Sequence, residues 1–259
     1  MTLRREREAL TELWILDRAA ARNAITEELA EALAARLDEL ERDGEVRALV
    51  ITGEGEKAFT AGADLKFLRT GSVAARSAFN ARMHGVVERI VALPFPVIAA
   101  LNGVAMGGGA ELALAADLRI AEPHASIAFK HAAMGVTPGW GGLGRLCSLV
   151  GRGTASKLLF TAQPLSPADA LHMGLVDEVV ETGGARARAL ALAADIALTS
   201  PAAVADLKRL ISAAYAGTAG ASVEERRTFM ERAQHADHAE ALAAVAEGRA
   251  PRFTRRGTP

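Results

Sequence analysis

The sequence predicts an α/β protein: a largely parallel sheet interleaved with helices, followed by an all-helical C-terminal region. Three observations carry this. Short apolar runs alternate with amphipathic helical patterns over the first two-thirds of the chain. From residue 199 onward there is no strand signal, and the segment is rich in Ala. Finally, 259 residues, half of them apolar, suffice for a substantial core. The boundary predicted is a core over 1–198 and a helical region over 199–259.

The elements follow in order. Thr11–Leu16 reads as a strand. Thr26 N-caps a periodic helix reaching about Arg42, with Leu29, Leu33, Leu37 and Leu40 on one face. Arg47–Thr52 reads as a buried strand, and Lys57–Lys66 as a loop and strand around Gly62. Ser72–Leu93 is a long amphipathic helix stopped by Pro94 and Pro96. Val97–Leu101 is a second buried strand; Asp117–Ala121 and Ser126–Phe129 are short ones. Helices are expected near 143–149, 153–161, 167–172, 184–199, 201–216, 221–235 and 237–247, with a strand at Leu175–Val180. The helices beyond 199 must cover their apolar faces on the core or on another subunit.

Bulk properties narrow the function. Thirty basic residues against thirty-one acidic give a net charge of −1, which argues against a general nucleic-acid binder. The single cysteine, Cys147, forms no intrachain disulfide and fits a reducing, cytoplasmic setting. The mixed-charge N-terminus lacks an apolar signal region, and no apolar run reads as a membrane span.

The chemistry concentrates at Asn102–Leu112. A buried strand runs into Gly107-Gly108-Gly109, and a lone carboxylate, Glu111, follows in an apolar helical start. Glycines allow backbone N–H groups close to a ligand, and a helix start adds unpaired donors. Such an arrangement can hold a developing oxyanion beside a base. Glu111 is costly to bury unless paired or used. A second small-residue element, Ala58–Lys66 around Gly62, could supply another N–H to the same oxygen.

Other motifs are weaker. Gly139-Trp140-Gly141-Gly142-Leu143-Gly144 matches a dinucleotide string, but no strand precedes it and no acidic residue follows about 20 positions on. His235, Asp237 and His238 could be metal ligands, although a solvated helix junction is the simpler explanation. His84 reads as a packed or surface histidine. Trp140 either stacks on a ligand or covers the core. No metal site is expected.

Together, Ala58–Leu65 and Asn102–Leu112 resemble the crotonase (enoyl-CoA hydratase/isomerase) superfamily, and Arg18–Ile25 is similar to its N-terminal signature. The similarity continues through Gly135–Gly142 and Ala170–Val176. The resemblance implies a crotonase-like spiral of ββα units with a helical C-terminal trimerisation region, and a homotrimer or a hexamer of paired trimers. It implies an acyl-CoA substrate, with the thioester oxygen held by the N–H groups of Ala63 and Gly108. Arg22, Ala61, Asp64, Leu65 and Lys66 would lie near CoA, and Phe67 and Trp140 near the acyl group. No cofactor is needed beyond the CoA of the substrate.

The chain departs from this family in one place. Typical hydratases carry two glutamates. The first matches Glu111; the second position is held by His131, and no carboxylate lies between Ser126 and Trp140. Histidine still works as acid or base near neutral pH. Phe129–Gly142 is similar to ethylmalonyl-CoA decarboxylase-like members. The expectation therefore leans slightly to a lyase that decarboxylates a carboxyacyl-CoA. Hydration or isomerisation of an enoyl-CoA is the alternative, as is a non-catalytic acyl-CoA-binding oligomer. Against decarboxylation stands the repulsion between an ionised Glu111 and a substrate carboxylate.

Overall fold

A computed structural model describes residues 2–215 and 221–253. Strands β1 (Leu3–Glu8), β2 (Thr11–Leu16), β3 (Ala48–Gly53), β5 (Val97–Leu101), β7 (Leu118–Ala121) and β9 (Glu178–Val179) form one sheet in that order. Only the β1–β2 hairpin is antiparallel. A second, parallel sheet holds three short strands, β4 (Ala58–Thr60), β6 (Val104–Met106) and β8 (Ser126–Ala128).

The chain steps between the two sheets. Each of β3, β5 and β7 is followed at once by a strand of the small sheet, and helices then carry the chain back. The result is a spiral of ββα turns. Alternate side chains of each strand point to opposite faces, and both faces of the large sheet are covered. Trp14, Leu16, Leu49, Ile51, Ala99 and Leu101 pack beneath α1 (Glu27–Leu40) and α3 (Val73–Ala92). Leu13, Ile15, Val50, Ile98 and Ile120 meet Ala185, Ala189 and Ala193 of α7 (Ala185–Ala197). Burial on both faces is why these strands are apolar throughout.

Helix starts follow the sequence. Thr26 and Ser72 accept from Leu29 and Ala75 N–H to cap α1 and α3. The remaining helices are α2 (Leu65–Thr70), α4 (Gly108–Ala113), α5 (Gly142–Thr161), α6 (Pro167–His172), α8 (Pro201–Tyr215), α9 (Ala221–Arg232) and α10 (Ala236–Glu247). Several expectations change. The helices expected at 143–149 and 153–161 are both present within α5, separated by a break at Gly151, φ +74°. The strand expected at Leu175–Val180 shrinks to two residues, β9. Strands β1 and β6 and helix α2 are additions. The tail from 254 and residue 216 lie outside the described residues. Among the described residues no single helix is long and apolar enough to cross a membrane.

Candidate active site

The three strands of the small sheet run parallel as neighbours, so their C-terminal ends lie side by side. The chain leaving β4 carries Ala61-Gly62-Ala63. That leaving β6 carries Gly107-Gly108 and, one helical turn on, Glu111. That leaving β8 carries Phe129-Lys130-His131. Topology alone thus gathers three separated segments at one edge, the place where parallel sheets bind ligands.

The first two segments touch through backbone. Gly62 has φ +81°, and a Cβ there would lie 2.6 Å from the Met106 carbonyl oxygen and 3.0 Å from the Gly108 nitrogen. Only glycine permits this approach. Its neighbour Ala63 and the helix-initiating Gly108 both line a cavity of about 560 Å³. Among the described residues, no carbonyl and no side chain accepts a hydrogen bond from either N–H group. Two free donors from adjacent turns therefore border one cavity.

Glu111 lies behind this wall, 1 % exposed. Its Oε1 accepts from His131 Nε2 at 3.0 Å and from Gly139 N–H at 3.2 Å; its Oε2 accepts from Trp140 and Gly142 N–H, each at 2.9 Å. The last donors open α5, so the carboxylate also sits at the positive end of that helix. A Cβ on Gly142 would fall 2.6 Å from Glu111 Cγ, so glycine is what lets the backbone come so near. Burial pushes the Glu111 carboxyl up, but His131 and the N–H groups of Gly142 and Trp140 outweigh it and hold it below the ordinary 4.5. Glu111 is an ionised, fully partnered carboxylate at neutral pH.

His131 lines the cavity, its side chain 10 % exposed. Nε2 faces Glu111, whereas Nδ1 is buried without a hydrogen-bond partner.

Of the other expected residues, Arg22, Ala61, Asp64, Leu65 and Lys66 all line the same cavity. The Asp64 carboxylate is already committed: it caps α2 through Lys66 and Phe67 N–H and pairs with Arg18 at 3.1 Å. Burial raises its pKa, but the Phe67 N–H and Arg18 bring it below the usual range. Phe67 and Trp140, expected around the acyl group, are not in the cavity wall. Trp140 is buried over the Gly108 backbone and edge-on to Phe79; Phe67 also packs against Phe79. They support the site from behind.

Sequence reasoning missed several participants. Lys130, Met106, Met134 and Val136 join the cavity wall. The Gly139–Gly142 motif, tested as a nucleotide loop, is the donor cradle of Glu111. Its glycines ahead of a helix were the available signal. Asn23 is fully buried and ties the turn before α1 to the chain around β4: its Oδ1 accepts from Arg18 N–H, and its Nδ2 donates to the Glu54 and Ala58 carbonyls. At the far helices, His235 accepts from Asp237 N–H as the cap of α10, and Asp237 meets Ser200. Among the described residues no cluster of three or more His, Cys, Asp or Glu could hold a metal.

The enoyl-CoA hydratase/isomerase family model matches residues 8–256. A short-chain-enoyl-CoA hydratase of Clostridium acetobutylicum is 38% identical over 207 residues, covering 80% of this chain and 79% of the relative. A crotonyl-CoA hydratase of Syntrophomonas wolfei is 39% identical over 176 residues, 68% of each. Among solved structures, an enoyl-CoA hydratase from Bacillus anthracis superposes with a TM-score of 0.94 at 32% identity, covering 98% of this chain and 99% of that one.

Proposed function

Because the chain belongs to the enoyl-CoA hydratase/isomerase family, we propose that it hydrates a short-chain 2-enoyl-CoA thioester. The observation that carries this is the pair of free N–H groups, Ala63 and Gly108, on one cavity beside the Glu111–His131 pair. Polarising the thioester oxygen drains electrons from the double bond. Water then adds at the β-carbon, and negative charge collects on that oxygen as an enolate. Two donors already in place stabilise this charge without reorganisation, and removing one such donor typically costs about 100–1,000-fold in rate. The Glu111–His131 pair handles the protons. Arg22 and Lys66 offer positive charge to the CoA phosphates. The reaction uses no cofactor other than the substrate's own CoA, and the reducing cytoplasm suits a protein with one cysteine.

Hydration is preferred to the decarboxylation toward which the sequence leaned. Relatives of 38–39% identity are named hydratases. A substrate carboxylate would also meet the ionised Glu111 close to the cavity. The helices beyond 199 expose apolar surface suited to a second copy of the chain, in keeping with a trimer or hexamer.

Incubation with crotonyl-CoA, longer enoyl-CoAs and malonyl-type CoAs, read by product mass, tests the function. Gain of one water by an enoyl-CoA is expected. Loss of carbon dioxide from a malonyl-type thioester, or binding without any turnover, overturns hydration.

A further inference from the structure

The loop Gly139–Gly142 has two faces. Inward, it gives three N–H groups to the Glu111 carboxylate. Outward, it lies against α3, where Asn80, His84 and Glu88, four residues apart, share one stripe. A Cβ on Gly139 would fall 2.7 Å from Asn80 Oδ1; one on Gly141 would fall 2.6 Å from Glu88 Oε1 and 3.6 Å from His84 Cε1. Arg145, one turn into α5, joins this face. Its Nη1 donates to the Gly141 carbonyl at 2.9 Å, and its Nη2 pairs with Glu88 Oε1 at 2.6 Å.

The Gly141 carbonyl and the Gly142 N–H belong to one peptide unit. That unit is planar and trans, so the two groups point in opposite directions and turn together. The N–H end donates to Glu111 Oε2 at 2.9 Å, and the carbonyl end is gripped by Arg145. Two features make the grip matter. Glycine on both sides gives this peptide little steric resistance to turning over, and Gly141 already sits at φ +86°. The carbonyl also lacks the main-chain partner found at other helix starts. The Thr26 and Ser72 carbonyls accept from Ala30 and Arg76 N–H, whereas among the described residues no main-chain N–H donates to that of Gly141. A cation on the carbonyl polarises the peptide as well, which strengthens its N–H as a donor.

We propose, resting on the hydratase reading, that Arg145 is a positioning residue for Glu111. By clamping the Gly141 carbonyl, with Glu88 steadying its fork, it keeps the Gly142 N–H on the carboxylate. Arg145 is not in the cavity wall, so it acts through this peptide and not on the substrate.

The test uses full-length R145M, R145K and E88Q with crotonyl-CoA, and crystal structures of wild type and the Arg145 variants. For R145M, kcat should fall about 10- to 100-fold, the worth of one hydrogen bond to a charged group, with KM little changed. R145K supplies a cation without the planar fork and should lie between R145M and wild type. E88Q loses the exposed ion pair but keeps the contact to Gly141, so its kcat should stay well above that of R145M. In the R145M crystal the Gly141–Gly142 peptide should be turned, with its N–H off Glu111 Oε2. The proposal is overturned if R145M keeps wild-type kcat, if its loss lies in KM alone, if E88Q loses as much kcat as R145M, or if the Gly142 N–H stays on Oε2. If R145M does not fold, the same readings on R145K decide. If wild type does not hydrate crotonyl-CoA, the hydratase reading falls, and the peptide in the variant crystals alone decides the clamp.

Discussion

The spiral core and the C-terminal helices handle apolar surface in opposite ways. In the core, Trp14, Leu29, Leu33, Ile51 and Phe59 are sealed from solvent, even though Leu65, Val136 and Phe160 at its surface are more than half exposed. In α8–α10, Leu207, Ile211, Phe229, Met230, Leu242 and Val245 are all more than half exposed, and Ala244 is the one buried hydrophobic residue among the described residues beyond 199. A helix in water draws most of its stability from a packed face. The core thus supplies its own cohesion, whereas the last helices are built to draw theirs from another surface. The candidate site lies wholly in the first region, assembled from strand ends that one chain provides. Chemistry and assembly should therefore separate under mutation.

Outside the Glu111–His131 pair, the largest effect is expected at Gly108→Ala. Its Cβ would meet the Trp140 ring at 2.4 Å, so the indole or the donor must move. Turnover of crotonyl-CoA should fall about 100–1,000-fold, as for loss of an oxyanion donor, with the oligomer intact by light scattering. Asn23→Ala should act next, on stability: buried donors and acceptors would lose their partner, a loss of roughly 1–3 kcal/mol in urea denaturation. A smaller effect concerns acid. The Glu111 carboxyl is held below its ordinary 4.5, so its ionised form stabilises the fold above that value, and the contribution is lost as pH falls through the lower folded value. The gap in melting temperature between wild type and E111Q should therefore be full near neutrality and close below about pH 4.5. Smallest for catalysis is the pair Phe229→Glu with Val245→Glu. Light scattering should show a smaller assembly while kcat stays unchanged. A parallel loss of kcat would mean that the site needs the partner subunit.

What could be read in the sequence depended on how local its physical cause is. Strands buried on both faces announced themselves as unbroken apolar runs, and Thr26 and Ser72 marked helix starts. The β1 strand did not, because Leu-Arg-Arg-Glu-Arg-Glu looks like solvent-exposed chain. It is an edge strand, where charges also discourage pairing with other molecules. Helix α2 is only six residues long and leans on the Asp64 cap, too little for a periodic pattern. In the site, Glu111 stood out as one carboxylate among apolar neighbours, and the cavity residues around Ala61–Lys66 came with the family motif. The donors of Glu111 did not stand out, since Gly139, Trp140 and Gly142 reach it only after the chain has gone through β8 and turned into α5. The displacement of Phe67 and Trp140 behind the wall has the same origin: both face Phe79, a residue of α3.

The cradle of Glu111 has a consequence for how this protein can change. Three of the four hydrogen bonds to that carboxylate come from main-chain N–H groups, which no substitution except proline deletes. Most of the anion's hydrogen bonds thus survive a change at position 131. Exchanging residue 131 alters the functional group presented to the cavity without stranding a naked charge behind it. The protein carries a fixed negative socket and an interchangeable head, an arrangement in which new reactivity can be tried one substitution at a time.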